Sequence, residues 1–349
     1  MYRLRQPISA LCLLLALMTV CTGRPIFAQD DPPTDAESPR TLRVSGPWMG
    51  LVSLPFFRMM EELEAQESPQ YKIEYTPWKN TSQLRAMVAS EGVDFIATHS
   101  HIAANFHNRD VSIRLLNVSL WGIFWIVGDT HDDLASLRGK EIIIPLKKGE
   151  LPDIIFRKVV SGLGYDPDKD FQIRYVGMGM EAVQRLIMGK AQYAVLPEPI
   201  GSIALFRSQQ LRKDNSALPE LHRGTDLQKE WGSAYNREPR IAVAGVAATG
   251  KVLQDEALLV WFHANYARAV EWCKAHPEEA GALAHKYYEQ YPAKPIAESI
   301  RLSDYRAIPA GECREDLDFY FQAIMESDPE KLGGKMPPDA FYWSPEKPE

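Results

Sequence analysis

Two stretches of this chain follow one local plan, and that recurrence restricts the fold more than any other feature. Tyr75 is followed by a loop, a helix-periodic segment and Gly92-x-Asp94-Phe95-x-Ala97; Tyr175 is followed by a loop, another helix-periodic segment and Gly189-x-x-Gln192-Tyr193-x-Val195. A strand, a loop, a helix and a buried strand are therefore given twice. The same order extends outwards. Thr41 to Ser45 predicts a strand, Gly46 to Gly50 a break, and Ser53 to Ala65 a helix with Pro55 in its first turn, where a missing N–H is harmless. Tyr71 to Tyr75 and Val93 to Thr98 read as strands around a helix near Ser82 to Ala89, capped by Thr81 or Ser82. Glu141 to Pro145, Gln172 to Val176 and Tyr193 to Leu196 read as strands around helices at Pro152 to Ser161 and up to Met188. Such alternation implies an α/β fold of mostly parallel sheets covered by helices, in two related lobes. The match is too short for a repeat array.

After the apolar strand Ile241 to Val246 the character changes to helices: Asp255 to Ala275, Glu278 to Gln290, Ile296 to Leu302 and Asp316 to Met325. These are expected to pack back on the first lobe. Lobe 1 is then 41–125 plus 246–349 and lobe 2 is 126–245. Crossovers near Trp121 to Val127 and Arg240 to Gly245 would form a hinge of two strands.

The amino end reads as a secretory leader. Residues 1–28 carry Arg3, Arg5 and Arg24, no acid, and an apolar run from Ile8 to Val20 that is short for a membrane span. A cut after Ala28 would leave a flexible, Pro-rich segment, 29–40. Cys21 is a possible lipid-anchor site, although Val20 before it fits a lipobox poorly. Without its three arginines the mature chain keeps 36 of the 39 basic residues against 46 acidic ones, a net charge of −10. That balance argues against a nucleic-acid partner. Cys273 and Cys313 are the cysteine pair outside the leader. An exported location favours a disulfide between them; two buried free thiols are the alternative.

Three motifs carry a family resemblance: Leu134-x-x-Leu137-Arg138-Gly139-Lys140-Glu141-Ile142; Ala191 to Pro199 with Leu196-Pro197-Glu198-Pro199; and Gly333-Gly334-Lys335-Met336-Pro337. In their order and spacing the chain resembles the nitrate, sulfonate and thiamine-precursor branch of type II periplasmic binding proteins, the substrate-binding subunits of ABC importers. Many relatives carry Asp where this chain has Gln192, which blurs the subfamily. The resemblance implies a two-lobed periplasmic-binding-protein type II fold with a helical C-terminal extension. It also implies a periplasmic monomer that closes on a small-molecule ligand and docks on a permease coupled to an ATPase. No cofactor is expected.

In open α/β sheets ligands sit beyond the carboxyl ends of strands, so the loops there supply the candidate contacts. They are Trp48, Met49, Trp78, Asn80, Thr98, His99 and His101 from lobe 1, and Lys148, Met178, Met180 and Glu198 from lobe 2. Trp48, Trp78 and Trp121 suit an aromatic wall; core packing is the other reading, above all for Trp121 in its apolar strand. Lys147-Lys148-Gly149 before a helix suits an anion or is a solvated turn. Glu198, between prolines, either meets a ligand amine or fixes the hinge. His99, His101 and His107 give a copper or zinc alternative, with methionines as soft ligands, although residues two apart point the same way only in extended backbone. An enzyme is the third class. One relative of this fold is a eukaryotic pyrimidine synthase that uses a run of cysteines for iron, and this chain has no such run. It also has no G-x-S-x-G elbow, H-E-x-x-H helix or phosphate-binding loop.

Overall fold

The computed structural model describes residues 38–48, 50–290 and 292–346. The expected leader, Cys21, Met49 and most of segment 29–40 lie outside the described residues. In chain order, β1 (Arg40–Pro47), α1 (Leu54–Glu64), β2 (Tyr71–Trp78), α2 (Thr81–Ala89), β3 (Phe95–His99), α3 (Ser100–Asn108) and β4 (Ile113–Leu120) come first. Next are β5 (Phe124–Gly128), β6 (Glu141–Pro145), α4 (Leu151–Gly162), β7 (Gln172–Val176), α5 (Gly179–Ile187), β8 (Tyr193–Pro197), α6 (Ile200–Asp214), β9 (His222–Asp226) and α7 (Leu227–Tyr235). The chain then runs through β10 (Ala244–Thr249), α8 (Glu256–Ala275), α9 (Pro277–Tyr287), α10 (Ala293–Leu302), β11 (Tyr305–Pro309) and α11 (Arg314–Ser327).

These strands form two sheets, in the orders β11-β4-β10-β3-β1-β2 and β7-β6-β8-β5-β9. In the first, β1 runs parallel to β2 and β3, and β10 is antiparallel to β3 and β4. In the second, β6 runs parallel to β7 and β8, and β5 is antiparallel to β8. The series β2-β1-β3-β10 and β7-β6-β8-β5 are thus equivalent. The recurrence read from Tyr75 and Tyr175 falls on β2-α2-β3 and β7-α5-β8.

The chain passes between the sheets twice. Ile241 N donates to Trp121 O at 2.5 Å and Val243 N to Leu120 O at 3.1 Å, so the outgoing and returning segments bond each other. This is why β10 begins at Ala244, later than the apolar run suggests: Ile241 to Val243 belong to the crossing. Trp121 is fully buried here. Its indole donates to Arg306 O at 2.9 Å and Arg240 lies 5.1 Å from its ring. It packs the crossing and does not belong to a ligand wall.

The C-terminal segment fixes the loop after β1. Tyr266 on α8 donates to Val52 O and Tyr305 on β11 to Leu51 O, both at 2.8 Å from buried hydroxyls; such bonds hold a buried loop whose polar groups would otherwise be orphaned. α11 reaches elements of both sheets. Its Phe319 meets Trp231 and Tyr235 of α7 edge-on at 5.3 and 5.1 Å, and Tyr320 Oη lies 2.9 Å from His101 Nδ1 on α3.

Two expectations are corrected. Cys273 and Cys313 are free, buried thiols, not a disulfide. Cys313 Sγ is turned to Pro309 O at 3.3 Å, while Cys273 sits on the buried face of α8. Burial pushes both thiols up to about 12. The cap of α2 is Asn80, whose side chain accepts from Gln83 N at 2.9 Å, so its amide serves the helix. Asn80→Ala is expected to lower the unfolding free energy by about 1 kcal/mol and to leave ligand affinity unchanged, which urea denaturation and a binding titration would check.

Candidate functional site

The carboxyl ends of the parallel strands of both sheets meet at one cavity of about 420 Å³. The first sheet contributes Pro47 and Trp48 after β1, Trp78 and Lys79 after β2, and Thr98 and His99 at the end of β3. From the second come Leu146 and Leu151 around the β6 turn, Met178 after β7, and Pro197 to Ile200 after β8. Leu120, Ile123, Phe124 and Ala244, beside the crossing segments, complete the wall.

The wall is mostly apolar, and part of it faces solvent. Trp48 is 38%, Leu146 45% and Met178 67% exposed. Leu146 also holds φ at +69°, a left-handed conformation that costs a side-chain-bearing residue about 1–2 kcal/mol. Trp78 lies deeper: its indole donates to Ala97 O at 3.1 Å and fixes the ring against β3. Lys79 extends over Trp48, its Nζ 5.7 Å from the ring centroid.

Two polar groups of the wall are left open among the described residues. Thr98 Oγ1 is buried without a hydrogen-bond partner. His99, half-buried, stacks beside His101 with ring centroids 5.5 Å apart. Burial pushes its pKa down to about 4, so at neutral pH it is an uncharged imidazole with one donor and one acceptor.

Of the residues expected from sequence, Trp48, Trp78, Thr98, His99, Met178 and Glu198 come together at this cavity. The others are turned elsewhere. His101 is bound to Tyr320, and His107 Nδ1 lies 2.7 Å from Ile113 O. Lys148 is exposed, its Nζ 3.7 Å from Asp168. Met180 packs against the apolar cluster of the second sheet. His99 and His101 stack on each other, but His107 is turned to Ile113, so the three imidazoles do not converge on one point. Among the described residues no group of three or more His, Cys, Asp or Glu side chains is placed to hold a metal ion.

Glu198 stands in the wall, but its carboxylate is already occupied. Oε1 accepts from Arg223 Nε and Nη2 at 3.0 and 2.8 Å; Oε2 accepts from Ser202 N and from Ser299 Oγ of α10, both at 3.0 Å. Its contacts brace the second sheet against α10. The residues that sequence reasoning missed are apolar: Leu51, Ile123, Phe124, Leu146, Leu151 and Ile200. The available signal was position, since Leu146 directly follows the β6 strand.

No protein-family model matches the sequence, and no curated protein matches it. Solved structures do. An ABC transporter protein from Parabacteroides distasonis superposes with a TM-score of 0.72 at 20% identity, over 87% of this chain and 99% of that one. The periplasmic aliphatic sulphonate binding protein SsuA from Escherichia coli gives 0.67 at 16% identity, over 89% and 94%. The zinc-bound ligand-binding component of an ABC-type import system from Staphylococcus aureus gives 0.63 at 12%, over 86% and 96%. What the chain shares with them, over nearly its whole described length, is the fold of the two-lobed periplasmic binding proteins.

Proposed function

We propose that this protein is the solute-binding component of an ABC importer, acting in the periplasm as a monomer. In this reading the lobes are 41–125 with 246–349 and 126–245, and the crossing segments are the hinge. A small organic molecule enters the cavity, contacts both lobes and favours their closed arrangement by its differential affinity. The permease and its ATPase then receive the closed form. The chain acts as a binder and performs no chemistry on its cargo.

The observation that carries the reading is the cavity, built from strand ends of two sheets and rimmed by Trp48, Leu146 and Met178. Large apolar side chains left in water around one concave site are surface to be buried by a ligand. Among the described residues no helix is long and apolar enough to cross a membrane.

The test is thermal denaturation of residues 29–349 with pooled small molecules, since a ligand that binds the folded state raises its melting temperature by mass action. One compound should give a saturable shift and reduce the radius of gyration. Trp48→Ala should weaken that compound about tenfold, as loss of an aromatic contact does, while leaving unfolding free energy within about 0.5 kcal/mol. Absence of any shift across broad pools would remove the proposal.

A further inference from the structure

The strand-to-helix turns of the second sheet share a device that bears on what the cavity accepts. Backbone amides at such turns are the usual anchors for an anionic group. Here each turn carries an internal carboxylate on an amide. Asp153 Oδ2 accepts from Gly149 N at 2.7 Å between β6 and α4. Glu181 Oε2 accepts from Gly177 N at 3.0 Å between β7 and α5. Glu198 accepts from Ser202 N at the start of α6. Each carboxylate is balanced in turn by an arginine: Arg157 at 2.8 Å from Asp153, Arg185 at 3.0 Å from Glu181, and Arg223 at 2.8 Å from Glu198. At each of the three turns one backbone donor is thus already taken by a carboxylate, wholly buried at Asp153 and Glu198 and partly exposed at Glu181.

Little else in the cavity would hold a charge. Among the described residues that line it, Lys79 is the one cation, exposed at the rim beside Trp48. The deeper wall is Trp78, Leu120, Ile123, Phe124 and Leu151, where an unpaired ion would lose its hydration without return. The open polar groups there are the Thr98 hydroxyl and the His99 ring.

Building on the solute-binding reading, we infer that the ligand is an uncharged, largely apolar ring compound, hydrogen-bonded by Thr98 and His99, and that the self-capped turns of the second sheet exclude anions. The cargo class then differs from that of the sulphonate binder with the same fold.

The experiment is a thermal-shift screen of residues 29–349 with three pools: uncharged heteroaromatics such as nicotinamide and indole, the matched ring carboxylates and sulfonates such as nicotinate and benzenesulfonate, and aliphatic sulfonates. Shifts concentrated in the uncharged pool, with at least tenfold tighter binding than the matched anions by calorimetry, are expected. Equal or larger shifts in either anionic pool overturn this inference and leave the solute-binding reading standing. No shift in any pool overturns both. Two variants separate mechanism from general damage. Thr98→Val should raise the melting temperature of the empty protein, because an orphaned buried hydroxyl is removed, yet weaken the uncharged ligand about tenfold; a purely structural Thr98 would lower both. Glu181→Gln, at a solvent-facing turn, should narrow the preference for the uncharged member severalfold by leaving Arg185 unbalanced. An unchanged preference would rule out capped turns as the source of exclusion.

Discussion

Arg223→Met is expected to lower the unfolding free energy by about 3–5 kcal/mol. The Glu198 side chain is wholly buried and that of Arg223 is 13% exposed. Removing the guanidinium leaves a carboxylate in the interior with two neutral donors and no counter-charge, and stranding one partner of a buried pair costs far more than the pair itself contributes. Arg223 also donates to Ser202 Oγ at 2.5 Å, so Ser202 loses a partner as well. Glu198→Leu combined with Arg223→Met should recover most of the loss, because two apolar side chains need no pairing. Urea denaturation of the single and double variants measures this. A single variant within about 1 kcal/mol of the parent would mean that water reaches Glu198.

Acidification is the second large effect. His99 and His263 are each held down to about 4 by burial. His101 is held well below its ordinary value by burial first, then by His99 and Lys331. An unfolded histidine titrates near 6.5. Between about pH 6.5 and 4, therefore, the unfolded chain binds protons that the folded chain refuses. Stability is complete above that window and falls as pH falls through it. Allowing for the part of each ring that faces solvent, His99 and His263 should account for about 2 kcal/mol each by pH 4. Glu230, pushed up by burial, works in the opposite sense. Asp132, held at about 2 by hydrogen bonds from Lys140, Tyr193 and Thr130, matters only at lower pH. Urea midpoints at pH 7, 5.5 and 4.5 should decline steadily, and less steeply for His99→Asn/His263→Asn. A flat profile in the parent would show that the folded protein protonates these rings freely.

The alternation of strands and helices was legible because most strands are apolar runs set off by glycine- and proline-bearing loops. β9 is His-Arg-Gly-Thr-Asp and β11 is Tyr-Arg-Ala-Ile-Pro; neither shows a period that separates it from loop, and both are strands because a neighbour offers an edge. Loop positions in the cavity were legible for a topological reason: the end of a parallel strand is where Trp48, Trp78, Thr98 and Met178 must lie. Leu146, Ile123 and Phe124 were not, because an apolar residue reads as core and only the gap between two sheets leaves it lining a hollow. Asn80 was misplaced since a helix cap and a ligand contact ask for the same residue at the same loop position. Lys148 was misplaced because Asp168, its neighbour in space, is distant in sequence.

The placement of β10 between β3 and β4 sets an order of assembly. A chain appearing amino end first has β3 and β4 in hand long before the strand that separates them. Until it arrives to set Gly245 against Thr98, those two strands lack their shared partner and leave open edges, the usual seeds of aggregation. The second sheet, contiguous from β5 to β9, has every strand by Asp226. The half of the molecule that is made first is completed last, by β10 and then by β11, whose pairing with β4 spans the longest stretch of chain in that sheet, and such long-range pairing is the slow kind. A chain cut short between β9 and β10 would hold one whole sheet and one that cannot seal.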